Sequence, residues 1–238
     1  NGTNIKIKNV TNSPIENKFR FKINLDKEDH FPIYFRVPSW AENASFKING
    51  KNQNVELEAG KYLKIYRKWY NEDTVEIDLP KSLSVKRWKK NHNSVSINYG
   101  PLTFSLKIKE NVIKKSSTET AIFDARWQKN VDLDRWPAYE IHPGSDWNYG
   151  LIIGDSINNY FEVVEKKWPI NNFPFTQKDS PIIIKARGKK INNWKTDETG
   201  LTGELMDSPV KSDELTEPIE LIPMGTTRLR ISSFPVIE

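Results

Sequence analysis

Apolar side chains in this sequence recur at every second residue, and that period excludes most of what a chain of this kind could fold into. Phe19-Arg20-Phe21-Lys22-Ile23-Asn24-Leu25 alternates without a fault, and Ile5/Ile7, Ile33/Phe35/Val37, Val75/Ile77/Leu79, Val95/Ile97/Tyr99 and Leu102/Phe104/Leu106/Ile108 repeat the pattern. Successive side chains of an extended strand point to opposite faces, so each run predicts a short strand with one apolar face turned to a core. Asn49-Gly50 follows Phe46-Lys47-Ile48 and can take the positive φ angles of a tight hairpin. A return strand is expected at Val55-Glu56-Leu57, and a further hairpin through Glu58-Ala59-Gly60 into Tyr62-Leu63-Lys64-Ile65. More strands are expected at 151–153, 161–164, 182–184 and 229–231. Ile157, Tyr160, Phe161, Val164 and Trp168 also fit a helix capped by Ser156, but the alternation at Phe161-Glu162-Val163 and the β-branched Val164 favour strand. The pattern predicts an all-β protein: two antiparallel β-sandwich, jelly-roll-like domains with little helix.

The 238 residues suffice for two such domains. Gly100-Pro101 breaks the chain between two strand signals, which places a first domain over 1–100 and a second over 101–238. The stretch 111–150 reads as a long irregular insertion in the second domain, carrying Trp127, Trp136, Tyr139, Trp147 and Tyr149 among Asp, Pro and Gly. Asn1-Gly2-Thr3-Asn4 has neither an initiator Met nor a signal-peptide pattern and reads like a cut inside a longer chain. No apolar run approaches the ~18 residues of a membrane helix, so no membrane partner is expected.

The chain has no cysteine, which removes disulfides, thiolate nucleophiles and Cys-ligated metals. Its three histidines, His30, His92 and His142, are far apart, so no metal site and no cofactor are expected. Residues 191–220 hold two basic against eight acidic side chains, −6 in net, and the formal charge of +5 therefore leaves +11 on the rest. That excess comes from lysines scattered in ones and twos, as on solvated sheet surfaces and edges. A compact basic stripe interleaved with aromatics is not apparent, so no nucleic-acid partner is expected.

Two kinds of candidate site stand out. Asp132 and Asp134, with Glu140 and Asp146 nearby, offer paired carboxylates for hydrolysis of a glycosidic bond, which needs two carboxyls ~5–9 Å apart; acidic residues in a Pro- and Trp-rich loop are more often turn formers. Trp127, Trp136 and Trp147 are candidate sugar-stacking rings, against the alternative that they pack into a core or between domains. Trp40, Trp69 and Trp88 flank strand signals and are expected in or over the first core. Arg36, beside Trp40, is expected to stack on an aromatic ring or pair with an acid.

Several phrases, in order along nearly the whole chain, resemble the C-terminal β domains of bacterial β-L-arabinofuranosidase-like glycoside hydrolases. They are Phe35-Arg36-Val37-Pro38-Ser39-Trp40-Ala41, Ile48-Asn49-Gly50, Tyr62 through Trp69, Asp73, Leu79-Pro80, Gly100-Pro101-Leu102, Asp146 through Leu151, Leu221 through Ile231, and Phe234-Pro235. One departure is Asn71-Glu72-Asp73, where the family often has Gly-Asp. In that family an (α/α)6 barrel precedes the β domains and carries a zinc-bound cysteine nucleophile and a glutamate acid/base. No catalytic residue transfers to this chain, which has neither barrel nor cysteine. The resemblance implies an accessory portion whose partner is an upstream catalytic barrel, in a periplasmic or secreted protein. An autonomous carbohydrate-binding module, and a self-contained hydrolase using the 132–146 carboxylates, are the alternatives.

Overall fold

In a computed structural model the described residues are 2–115 and 135–238. They form antiparallel sheets, with no helix beyond single 3-10 turns at Ile157–Asn159 and Met224–Thr226. The chain divides into two compact units, one of Asn1–Val85 with Asn98–Thr103, the other of Lys86–Ile97 with Phe104–Glu238. Among the described residues no helix is long and apolar enough to cross a membrane.

The first unit holds a five-stranded sheet in the order β1-β2-β7-β4-β5. Its strands are β1 (Ile5–Val10), β2 (Lys18–Leu25), β4 (Ser45–Ile48), β5 (Lys51–Asn52) and β7 (Asp73–Asp78). The register sets like on like: Phe21 faces Val75, Phe19 faces Ile77, and on the other side of β7 Phe46 faces Ile77 and Ile48 faces Val75. Against this sheet packs a ribbon of two strands, β3 (Asp29–Arg36) and β6 (Tyr62–Trp69). The ribbon contributes Phe35, edge-on to Phe46 with ring centroids 5.2 Å apart, and Trp69, fully buried and donating its indole N–H to the Phe31 carbonyl at 3.0 Å.

Asn49 (φ 49) and Gly50 (φ 75) turn the β4–β5 hairpin, as the Asn-Gly pair requires. Three other expectations for this unit need correction. Val55 and Leu57 form no strand; they pack half-buried against the core without a ladder partner, and the strand at Tyr62 pairs with β3 instead. The alternation of β1 does not bury it: Ile5, Ile7 and Val10 are all exposed, because a ribbon two strands wide leaves the β1 edge of a five-stranded sheet uncovered. The stacked guanidinium belongs to Arg67, 4.9 Å from the Trp69 ring, and not to Arg36, which is exposed. Trp40 does pack on this core.

In the second unit β15 (Ile182–Lys190) is central, pairing with β16 (Glu217–Pro223), β13 (Tyr149–Leu151) and β14 (Glu162–Glu165). β10 (Leu102–Leu106) continues the sheet beyond β16, with Leu106 facing Leu221. The strand reading of 161–164 therefore holds. Ile182, Ile183 and Ile184 are buried in succession, so this end of β15 is covered on both faces. Trp88, half-exposed under Lys86 and bonded through its indole N–H to Ser96, is not a core residue.

The second unit brings two further corrections. Leu229-Arg230-Ile231 is not a strand but part of a loop in which Arg230 donates to the Thr227 carbonyl at 2.9 Å. The strand lies earlier, at β16, where Pro218 and Pro223 hide the alternation of Ile219 and Leu221. The stretch expected to be irregular contains an antiparallel pair, β11 (Glu110–Lys115) with β12 (Ala138–Pro143), in which Val112 faces Ile141.

Candidate functional site

A cleft of about 940 Å³ lies on the second unit, open to solvent beside the start of β11 and the 224–230 loop. One wall is aromatic: Phe173 and Phe175 meet edge to face at 5.5 Å, each about half exposed. The rest is charged. Lys107 pairs with Glu220 at 2.6 Å, and Lys109 and Lys178 line the cleft with no ion pair among the described residues.

Glu110 fastens this loop. Its Oε1 accepts from the Thr227 hydroxyl (3.0 Å) and from the backbone N–H groups of Arg228 (2.6 Å) and Leu229 (3.3 Å). Burial alone would raise its pKa, but these donors outweigh it and hold the carboxyl below the usual range. Beside it, Lys190 bridges Asp146 (2.7 Å) and Glu217 (3.3 Å), and the Tyr149 hydroxyl donates to Glu217 at 2.7 Å. Burial and then that bond push Tyr149 up to about 12, while hydrogen bonds from Tyr149 and Lys190 lower Glu217. The hydrogen bond from Lys107 lowers Glu220 in the same way.

This electrostatic pattern bears on chemistry. A glycosidic bond is broken with the help of a carboxylic acid kept protonated by a raised pKa. The cleft carboxylates with perturbed pKa values, Glu110 and Glu220, move the opposite way, into the ionised and fully bonded state of structural groups. Of the candidates read from the sequence, Asp146 is tied to Lys190, and Glu140 lies 3.1 Å from His142. Asp132 and Asp134 lie outside the described residues. No group of three or more His, Asp or Glu converges as a metal site among the described residues.

The two candidate tryptophans among the described residues have different surroundings. Trp127 lies outside the described residues. Trp136 is 63% exposed, with the Arg135 guanidinium 5.7 Å from its ring. Trp147 packs edge-on against the buried Trp194 at 5.2 Å, beside a cluster of Ile191, Val210 and Ile237. Trp147 thus has a packing role, whereas Trp136 stands mostly in solvent.

A different set of rings lies on the first unit. Tyr34, Tyr62 and Tyr66 are all exposed on the outer face of the β3–β6 ribbon. Their signal was present in Tyr62-Leu63-Lys64-Ile65-Tyr66-Arg67-Lys68-Trp69, whose even positions alternate ring and cation. Attention to the apolar period, which selects Leu63, Ile65 and Trp69, passes over it.

The fold is similar to part of several longer solved structures. The chain is similar to a solved glycoside hydrolase over 98% of its own length, with a TM-score of 0.57 and 17% identity. It is similar over its whole length to a GH127 β-L-arabinofuranosidase from Geobacillus stearothermophilus T6 (TM-score 0.56, 17% identity). A third likeness is to a GH127 β-arabinofuranosidase (TM-score 0.55, 16% identity, 98% of this chain). The chain spans only 32%, 31% and 32% of those three chains respectively. Residues 1–81 match the family model described as β-L-arabinofuranosidase, GH127 middle domain, in agreement with the family likeness read from the sequence. No curated protein sequence matches the chain.

Proposed function

We propose that this chain is the non-catalytic β-sandwich portion of a β-L-arabinofuranosidase-like glycoside hydrolase, two β modules divided near Gly100-Pro101 that buttress an (α/α)6 catalytic barrel. The observation that carries the reading is the pairing of a GH127 middle-domain match over residues 1–81 with near whole-length likeness to about a third of much longer glycoside hydrolase chains, two of them GH127. The cleft chemistry agrees with it, since its perturbed carboxylates are held ionised and bonded rather than poised as acids. In this role the chain supplies a docking surface and, through it, the position of the barrel.

The test is to mix the purified chain with a separately expressed catalytic barrel of the same family and measure association by calorimetry and size-exclusion chromatography. A one-to-one complex is expected, and aryl furanosides and pyranosides should not be turned over by the chain alone, with or without zinc. Turnover by the chain alone that disappears in Asp132→Asn or Asp134→Asn would overturn the reading in favour of a self-contained hydrolase.

A further inference from the structure

Resting on the reading that the chain serves a glycoside hydrolase, we propose that the outer face of the β3–β6 ribbon binds an acidic glycan, one whose sugars carry carboxylates. The antiparallel register builds the face. Tyr62 lies opposite Arg36, Lys64 opposite Tyr34, Tyr66 opposite Pro32 and Lys68 opposite His30. The intervening residues, among them Phe31, Ile33, Phe35, Leu63, Ile65 and Trp69, pack into the core, so these eight side chains share the opposite side. Along β6 the outward sequence is Tyr, Lys, Tyr, Lys. Across the ribbon rings and cations form a checkerboard in which Tyr62, Tyr34 and Tyr66 are successive diagonal neighbours, about 7–8 Å apart.

Folding does not account for this arrangement. Tyr62 and Tyr66 are each 64% exposed and Tyr34 is 56% exposed, while the core draws on the other face. No carboxylate occupies any of the eight positions. At one end Lys68 is paired with Glu28 at 2.6 Å, but Arg36 and Lys64 have no acidic partner within ion-pair distance among the described residues. The Lys64 ammonium instead sits 5.9 Å from the Tyr34 ring, and the rings of His30 and Tyr66 lie 6.4 Å apart.

The chemistry that matches is a chain of planar, weakly apolar rings with negative charge between them. Tyrosine faces stack on the C–H side of a sugar ring while their hydroxyls bond its hydroxyls, and the interleaved cations meet carboxylates. Four rows at about 6.8 Å each give a track of roughly 20 Å, the length of a short oligosaccharide. Single-stranded nucleic acid also uses rings and cations, but its binding proteins lay the backbone in a charged groove. Here the surface is an open ribbon only two strands wide.

The experiment uses the whole chain and three probes: polygalacturonate, a neutral dextran and oligothymidylate, each by affinity electrophoresis and calorimetry. Polygalacturonate should bind, more weakly between about 50 and about 200 mM salt, and the dextran should not. Changing Tyr62 and Tyr66 together to Ala, or Lys64→Glu alone, should weaken polygalacturonate binding about tenfold or more, with Leu215→Ala, 81% exposed on the second unit, as the unaffected control. All three sites are exposed, and unchanged circular dichroism and urea midpoints would show that folding is intact. Absence of polygalacturonate binding, equal binding of the dextran, tighter binding of oligothymidylate, or indifference to the ribbon variants would each overturn the proposal. The docking measurement with the catalytic barrel contains no glycan, so either idea can fail while the other stands.

Discussion

Removing the carboxylate of Asp73 should cost the first unit about 3 kcal/mol, two charge-assisted hydrogen bonds at ~1.5–3 kcal/mol each less partial rescue by water. Asp73 is 5% exposed and joins two turns. One oxygen accepts from the Asn49 side-chain amide at 2.7 Å, and the other accepts from the Tyr70 backbone N–H at 2.9 Å with the Arg67 guanidinium 3.7 Å away. Asn49 in turn accepts from the Thr74 N–H at 2.8 Å and donates its own N–H to the Thr74 carbonyl at 2.9 Å. The carboxylate therefore holds the β4–β5 turn against the β6–β7 turn. Asp73→Ala leaves these donors facing a site water reaches poorly, although the half-exposed Tyr70 allows some solvent in. A loss of that size is a large part of the ~5–15 kcal/mol that stabilises a typical domain. The partner substitution should be Asn49→Gly, which keeps the positive φ while deleting the amide. Urea unfolding by circular dichroism, with hydrogen exchange on β2 and β7 assigning the loss to the first unit, gives the two single changes and the double. A coupling of about 1 kcal/mol or more is expected between them. Strict additivity, or a cost for Asp73→Ala below about 1 kcal/mol, would refute the claim that this carboxylate links the turns.

Three further outcomes follow from the second unit. Because the folded pKa of Glu110 is depressed, its stabilisation is complete above the unfolded carboxylate value, about 4.3, and is lost as pH falls through the lower folded value. Glu110→Gln should therefore unfold at lower urea than the parent at pH 7, and the two midpoints should converge on acidification; a difference independent of pH would contradict this. Gly188→Ala should destabilise the central sheet by about 2 kcal/mol or more, because an added Cβ would meet the Gly150 carbonyl oxygen at 2.7 Å and Ile219 at 3.1 Å; an unchanged urea midpoint would show that the strands give way. Trp147→Ala should cost about 3 kcal/mol through its lost packing on Trp194, whereas Trp136→Ala should stay within about 0.5 kcal/mol, and equal losses would mean that one of the two environments is misassigned.

Most of the strands were legible because burial on one side imposes the period that a sequence displays. β2, β7 and β10 show it plainly, and the Asn49-Gly50 turn carries its own stereochemical signal. The reading failed where another constraint masks or mimics that period. In β16 two prolines flank the alternation, tolerable in the structure because each stands near a strand end. At β15 the second half is continued by Ala186 and Gly188, residues too small to register as apolar but buried because neighbouring backbone approaches closely there. At 229–231 the alternation is real, yet the local backbone is committed to the loop that Glu110 fastens from more than a hundred residues away, a partner no local pattern reveals.

The site was less legible than the fold for a related reason. A period of two divides a strand into two faces, and only the apolar one announces a core. For β6 the inner set, Leu63, Ile65 and Trp69, supported the strand, and the outer set, Tyr62, Lys64, Tyr66 and Lys68, was left as solvated surface. Pairing with β3 then places Arg36, Tyr34, Pro32 and His30 beside that outer set, an arrangement requiring the register between strands more than twenty residues apart. For Trp147 the sequence left stacking and packing both open, because its partner Trp194 comes from a distant segment and only the fold takes the ring into a packed cluster. The same logic explains β1, whose isoleucines alternate as a core strand should and yet remain in solvent. Alternation records which face a strand offers for burial; whether another layer reaches that face depends on the width of the opposing sheet, and here that sheet has two strands against five.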